Sequence, residues 1–209
     1  MRLGIFGGTF NPIHLGHLII AQESLFQFAL DKIIFVPSAI PPHKSLEDIA
    51  PARHRLQMVK LAISGNARFV VSDLELKRND KSYTIETIKT FQKKYGPQTE
   101  LYFIIGLDAL LEIFTWKNAE QLLDLCWFLV APRAGFAINS LDTQVRKRVR
   151  LIAMDPVNIS ASEIRKRVKL ELPFRYFLPE KVYKYLIESS VYGCDINPKN
   201  SCRVRFSST

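Results

Sequence analysis

Leu3-Gly4-Ile5-Phe6-Gly7-Gly8-Thr9-Phe10-Asn11-Pro12-Ile13-His14-Leu15-Gly16-His17 opens this chain, and the order of residue types in it predicts a strand, a glycine turn and a helix. Leu3 to Phe6 is a short apolar run of the kind that lies inside a sheet. Gly7 and Gly8 let backbone N–H groups come close to an anion, Thr9 can add a hydroxyl, and the helix predicted from Leu15 to Ala29 points orphan donors and its positive dipole end at the same place. His14 and His17 are three apart, which puts both on one face of the first turn, able to converge on one phosphate. Gly16 between them leaves room for a nucleotide.

Outward from this segment the pattern repeats. Apolar runs rich in β-branched and aromatic residues predict strands at Leu3 to Phe6, Lys32 to Val36, Phe69 to Asp73, Leu101 to Ile105, Trp127 to Ala131 and Leu151 to Met154. Helical spacing predicts helices at Leu15 to Ala29, Ala52 to Ser64, Ile85 to Tyr95, Ala119 to Leu125, Ser162 to Lys169 and Glu180 to Glu188. Near-continuous apolar strands are buried on both faces. Their alternation with helices predicts an α/β fold: a doubly wound, Rossmann-like parallel sheet with helices on both faces and a small C-terminal helical part, binding ligands at the carboxyl ends of the strands. The domain is expected to span residues 1–192. Residues 193–209 are polar and read as a flexible or loosely docked extension, although Val204 and Phe206 alternate with Arg203 and Arg205 as if to pair on a sheet edge.

With 209 residues, 47% hydrophobic and 23% charged, the chain has the composition of one globular domain. No apolar run reaches the roughly 18 to 20 residues that cross a bilayer, and the amino terminus meets glycines before a signal-peptide core can form, so a cytoplasmic location and no membrane partner are expected. Cys126, Cys194 and Cys202 have neither C-x-x-C spacing nor a nearby histidine pair. Reduced thiols are expected, with no zinc site. Lys and Arg outnumber Asp and Glu by 29 to 20, a formal charge of +9. That excess fits a polyphosphate pocket, a nucleic-acid face built on Arg146-Lys147-Arg148 or Arg165-Lys166-Arg167, or a solvated basic surface.

A second cluster lies far along the chain, at Asn158-Ile159-Ser160-Ala161-Ser162-Glu163-Ile164-Arg165. Ser160 or Ser162 can cap a helix whose first turn holds Glu163 and from whose start Arg165 projects. Taken together, the two clusters resemble a known pair of motifs. His14-Leu15-Gly16-His17 resembles the HxGH signature of the nucleotidyltransferase superfamily, which class I aminoacyl-tRNA synthetases share in the related HIGH form. Asn158 to Arg165 resembles its ISxTxxR motif, with Ser162 in place of Thr. The run from Gly7 to His17 resembles the opening of the bacterial nicotinate-nucleotide adenylyltransferases, except that Asn11 stands where those enzymes usually carry Asp. The resemblance implies catalytic roles for His14, His17 and Arg165. It also implies an ATP site formed by Gly7, Gly8, Thr9, Phe10, Gly16, His17, Asp108, Ile159, Ser160, Ser162 and Arg165, with Arg165 holding the β- and γ-phosphates.

Three further segments are similar to that family. Pro37-Ser38-Ala39-Ile40-Pro41-Pro42-His43-Lys44 is too proline-rich for a helix and predicts a stiff loop at the sheet's carboxyl edge; the resemblance implies that His43 and Lys44 receive the mononucleotide phosphate. Ser82 to Thr87 reads as a loop entering a helix, with Thr84 able to cap it, and the matching family segment receives the nicotinate carboxylate through its backbone. Asp108 ends a strand where ligands bind in such sheets, and the resemblance implies contact with a ribose hydroxyl. Trp116 is implied to stack on the pyridine ring, and Arg133 to join the mononucleotide site.

The reaction implied is in-line attack of a nicotinate mononucleotide phosphate on the α-phosphorus of ATP. A phosphate monoester with a second pKa near 6 is already ionised at neutral pH, so no general base is needed. Mg²⁺ is expected to arrive with ATP rather than in a protein cage. Phosphopantetheine adenylyltransferase or another member of the superfamily is the alternative enzyme, and a basic nucleic-acid-binding module the alternative from another class. The Pro-Pro-His-Lys loop and Trp116 favour nicotinate mononucleotide, and no RNA-recognition or KH motif favours a specific nucleic-acid partner.

Overall fold

The computed structural model describes residues 1–39, 49–78, 82–136 and 141–193. His43, Lys44, Cys194, Cys202 and nearly all of the expected extension lie outside them. Six strands, β1 (Arg2–Gly8), β2 (Lys32–Pro37), β3 (Phe69–Val71), β4 (Glu100–Gly106), β5 (Trp127–Ala131) and β6 (Val149–Leu151), form one sheet in the order β3-β2-β1-β4-β5-β6. Every pairing is parallel. The order reverses at β1, which pairs with β2 on one side and β4 on the other, so the crevice beyond the carboxyl ends of β1 and β4 is the topological switch point.

Period-two alternation divides the strands between two cores. Phe6, Ile33, Phe35, Ile104 and Leu129 face α1 (Leu15–Gln27), α2 (Ala52–Ile63), α7 (Ala161–Lys169) and α8 (Glu180–Ser189), whose Leu25, Met58, Ile164 and Val182 close that side. Leu3, Ile5, Ile34, Phe103, Phe128 and Val130 face α3 (Thr84–Tyr95), α4 (Leu107–Leu111), α5 (Ala119–Leu125) and α6 (Thr143–Lys147) through Ile88, Leu110, Leu122 and Val145. This two-sided burial is why the strands read as continuous apolar runs. The doubly wound, Rossmann-like class expected from the sequence is the fold observed.

Boundaries differ in instructive ways. α1 stops at Gln27 instead of running to Ala29, because Ala29 takes φ 48° and the Leu30 N–H reaches back to the Leu25 carbonyl at 3.0 Å. That is a Schellman termination with alanine where glycine is usual. The last strand occupies Val149–Leu151 rather than Leu151 to Met154. Its start is hidden in a basic run, since α6, capped by the Asp142 carboxylate on the Gln144 N–H at 2.7 Å, ends only at Lys147. α3 starts at Thr84 with Tyr83, not Thr84, at the N-cap. α4 and α6, five residues each, were not predicted, since neither is long enough to show a period.

The two basic runs are divided between the fold's parts. Arg148 and Arg150 lie over the Trp127 ring at 5.5 and 4.2 Å, Arg165 turns to the opening loop, and Arg167 pairs with Glu163 at 3.0 Å. Cys126 is buried, which pushes its thiol up to about 12 and leaves it unreactive. Among the described residues no helix is long and apolar enough to cross a membrane.

Candidate active site

Gly7 and Gly8 are the last residues of β1, and past them the chain turns at Phe10, whose φ of 48° is left-handed. The strain is held by burial: Phe10 packs on Phe6 at 5.7 Å, Phe35 at 5.9 Å and His17 at 5.1 Å. This turn delivers His14 to the N-cap of α1 and His17 to its first turn, with ring centroids 3.7 Å apart and planes 34° from parallel. The His14 N–H donates to Nδ1 of His17 at 3.2 Å. An Nδ1 that accepts carries no proton, so His17 bears its proton on Nε2, which fixes the direction in which it can donate. Gly16 is what permits the pairing. A Cβ there would lie 3.0 Å from His14 Nδ1 and 3.4 Å from Val157 Cγ1, so the room it leaves is taken by the His14 ring edge and Val157.

His14 is buried, and burial, helped by the charge of Arg133, lowers its pKa from 6.5 to about 4. It is neutral at physiological pH. Its Nδ1 and the Ser38 hydroxyl are the two buried side-chain atoms that lack a hydrogen-bond partner among the described residues. Each such atom costs about 1–3 kcal/mol. His14 opens α1 and Ser38 follows β2, its N–H donating to the Gly8 carbonyl at 2.9 Å, so both borderline the turn after β1. Strain of this kind collects at functional sites.

Asn11 is the hub of the loop. Its side-chain oxygen accepts from the Tyr192 hydroxyl at 2.6 Å and the Ala50 N–H at 3.0 Å, and its carbonyl accepts from Arg165 at 2.8 Å. Arg165 therefore bridges from α7 to the opening turn across most of the sequence. Ser160 is the cap of α7, accepting from the Glu163 N–H at 3.2 Å, while Ser162 is exposed in its first turn with its hydroxyl 3.2 Å from that of Ser160. Ile159 packs half-buried against the core. The Tyr192 phenol is held well above its ordinary pKa by burial, against the opposing pull of Arg165 and Arg55, so it remains a donor to Asn11.

On the other side of the switch point, Asp108 lies in the first turn of α4 and Arg133 just past β5, their charged atoms 3.8 Å apart. Gly106 makes the Asp108 placement possible, since a Cβ there would fall 2.5 Å from the carboxylate. Trp116 is half-buried and set edge-on to Phe103 at 6.1 Å. Its neighbour Lys117 lies 4.5 Å over the Tyr83 ring and 3.7 Å from Glu86. The Thr84 and Trp116 segments, far apart in sequence, thus adjoin. Sequence reasoning missed Arg55 and Tyr192, and gave Gly106, two residues before Asp108, no role of its own. For Arg55 the signal was present: one cation on the apolar stripe Arg55, Met58, Val59, Ile63 of α2.

These groups can bind a polyphosphate. Two imidazoles lie face to face, tilted, at a helix start, the charge of Arg133 reaches His14, and Arg165 reaches the Asn11 carbonyl of the same loop. Among the described residues no three His, Cys, Asp or Glu side chains converge as a metal cage.

Comparison with known proteins agrees. A family model described as cytidylyltransferase-like matches residues 5–167. A protein of Moorella thermoacetica named "Probable nicotinate-nucleotide adenylyltransferase" is 45% identical over 91% of each chain. Its namesake in a Thermoanaerobacter strain is 44% identical over 93% of this chain and 96% of the other. Among solved structures, the Plasmodium falciparum nicotinic acid mononucleotide adenylyltransferase, complexed with NaAD, superposes with a TM-score of 0.78 at 24% identity, over 92% of this chain and 98% of that one. The switch-point site, the family model and these relatives together place the chain in the nicotinate-nucleotide adenylyltransferase family of nucleotidyltransferases.

Proposed function

We propose that the chain transfers the adenylyl group of ATP to nicotinate mononucleotide, releasing pyrophosphate and forming deamido-NAD, a step of NAD biosynthesis. The observation that carries this reading is the His14–His17 pair at the switch point, one ring held neutral by burial and the other held in one tautomer by its neighbour's N–H.

The mononucleotide phosphate, already ionised, attacks the α-phosphorus in line and the bond to the β-phosphate breaks. Catalysis is position and charge. Neutral His14 and the Nε2–H of His17 donate to the α-phosphate oxygens and the bridging oxygen as negative charge moves toward pyrophosphate. Arg165 leaves the Asn11 carbonyl for the β- and γ-phosphates, and the start of α7 at Ser160 and Ser162 adds donors there. Gly7, Gly8, Thr9, Phe10, Gly16 and Ile159 shape the nucleotide's bed, and Asp108 takes a ribose hydroxyl. Thr84 and Trp116 hold the nicotinate end, with Arg133 near the mononucleotide and the reacting phosphates. His43 and Lys44 are proposed for its phosphate on the sequence resemblance alone. Mg²⁺ enters as part of the substrate, MgATP, held by triphosphate oxygens and water.

The test is pyrophosphate release from ATP with nicotinate mononucleotide, nicotinamide mononucleotide or phosphopantetheine as acceptor. Turnover is expected to be fastest with nicotinate mononucleotide. Release with phosphopantetheine alone, or with none of the three, overturns the reading.

A further inference from the structure

Arg55 lies on the buried face of α2 and is 1% exposed. A cation so placed costs several kcal/mol unless fully hydrogen-bonded. Among the described residues its guanidinium donates to three backbone carbonyls: Nε to Ala50 at 3.0 Å, one terminal nitrogen to Thr9 at 2.7 Å and the other to Ala39 at 3.3 Å. No carboxylate pairs with it among the described residues. A methionine or leucine would fill the volume without that desolvation cost, so the guanidinium's distinctive contribution is a planar fork that fixes three separate stretches of chain at once.

Those stretches belong to both substrates. Thr9 is in the turn assigned to ATP. Ala39 leads through Ser82 to the α3 entry assigned to the nicotinate end, and Ala50 leads back to Asn11 in the opening loop. The connections continue in both directions. The Ala50 N–H donates to Asn11, whose carbonyl takes Arg165. The Ala39 N–H donates to Ser82 Oγ at 2.9 Å, and Ser82 bonds the buried Glu75 carboxylate, to which Thr87 also donates at 2.6 Å. Ser82 immediately precedes the Tyr83-Thr84 entry of α3. One run of hydrogen bonds and short chain segments therefore joins Arg165 to the Thr84 segment, and Arg55 is its central link.

We propose that Arg55 is a positioning residue that couples the two substrate sites, because its one guanidinium holds both the opening turn assigned to ATP and, through Ala39 and Ser82, the α3 entry assigned to the nicotinate end. The inference rests on the proposed reaction, but its readout is separate. By linkage, each ligand must then tighten the other by the same factor.

The experiment is calorimetric titration of the full chain with nicotinate mononucleotide, with and without saturating Mg²⁺ and α,β-methylene-ATP, in wild type, Arg55→Lys and Ser82→Ala. The wild type is expected to bind the mononucleotide about fivefold tighter or more with the analogue present, the lower end of measured couplings. Arg55→Lys, which keeps the charge but loses the fork, is expected to bring that ratio to within about twofold of one. Ser82→Ala, a milder cut at the far end, is expected to lower it as well. A purely structural Arg55 would lower the melting temperature and weaken each ligand alone while leaving the ratio intact. A ratio near one in wild type, or one unchanged in the variants, overturns the inference; should Arg55→Lys not fold, an unchanged ratio in Ser82→Ala does so by itself. Failure of wild type to bind the mononucleotide under either condition overturns the proposed reaction, and the coupling with it.

Discussion

Lowering the pH should destabilise this protein through one imidazole. His14 has a folded pKa of about 4 against 6.5 for a free histidine, with burial the larger cause and the Arg133 charge the smaller. Above pH 6.5 the ring is neutral folded and unfolded, and its contribution is fully present. Between 6.5 and about 4 the unfolded chain binds a proton that the folded chain refuses, so stability falls as pH falls and the loss is complete only below the folded value. At about 1.4 kcal/mol per pH unit, the gap is worth about 3 kcal/mol, a large share of the 5–15 kcal/mol that holds a typical domain together. The measurement is urea unfolding at intervals from pH 7.5 to 4 for wild type and His14→Gln, which removes the titration while retaining a polar side chain. The difference between the two curves isolates His14. It should be flat above pH 6.5 and slope by about 1.4 kcal/mol per unit below it. A flat difference across the whole range, or a His14 ring that titrates near 6.5 by NMR, would refute the burial argument. It would also remove the reason for treating His14 as a neutral donor.

Three other outcomes are expected. His17→Ala should cost about two to three orders of magnitude in kcat, the usual effect of losing one preorganised donor; a variant keeping more than about a tenth of wild-type activity contradicts the role assigned to its Nε2–H. Gly106→Ala puts a methyl 2.5 Å from where the Asp108 carboxylate now lies, so kcat/KM should drop about a hundredfold, as misplacement by an ångström can do, and should match Asp108→Ala with the melting temperature barely changed; equal activity in Gly106→Ala and wild type would show that the Asp108 position is immaterial. Ala29→Gly relieves a left-handed alanine at the end of α1, and should raise stability by about 0.5–1 kcal/mol once the greater freedom of the unfolded glycine is subtracted; a lower denaturation midpoint would count against the strain.

The fold was legible because burial on both faces of a parallel sheet writes itself as apolar runs, and because each run is separated from the next by a helix-length amphipathic stretch. What failed to show has physical causes. A five-residue helix such as α4 completes little more than one turn, too short for a period to emerge. The start of β6 lies among arginines because an edge strand leaves side chains free to be charged, and Arg148 and Arg150 use that freedom to pack over Trp127. α1 looked two residues longer than it is because alanine is the best helix former and gives no warning when it adopts the left-handed turn.

Within the site, the residues proposed to face substrate were picked out from the sequence, whereas those whose hydrogen bonds hold the loop together were not. His14, His17, Asp108 and Arg165 are polar groups beside glycines and helix starts, positions where polar chemistry is informative. Asn11 looked only like a departure from the family's usual Asp. The structure gives a reason for its tolerance: the one side-chain oxygen accepts both the Tyr192 hydroxyl and the Ala50 N–H, which an amide does as well as a carboxylate. The substitution is not electrically neutral, however. An Asp at position 11 would give Arg55 and Arg165 a nearby anion, and both would lose positive potential that a triphosphate could otherwise use. With Asn11, neither the buried Arg55 nor Arg165 has a carboxylate partner among the described residues, and Arg165 donates to a carbonyl. Exchanging a carbonyl for a phosphate oxygen is favourable for a guanidinium, because an anionic acceptor adds charge–charge attraction to the hydrogen bond. Asn11→Asp should therefore leave the loop in place while raising KM for ATP more than KM for the mononucleotide, and the reverse order would mean that the charge of this loop acts on the mononucleotide phosphate instead.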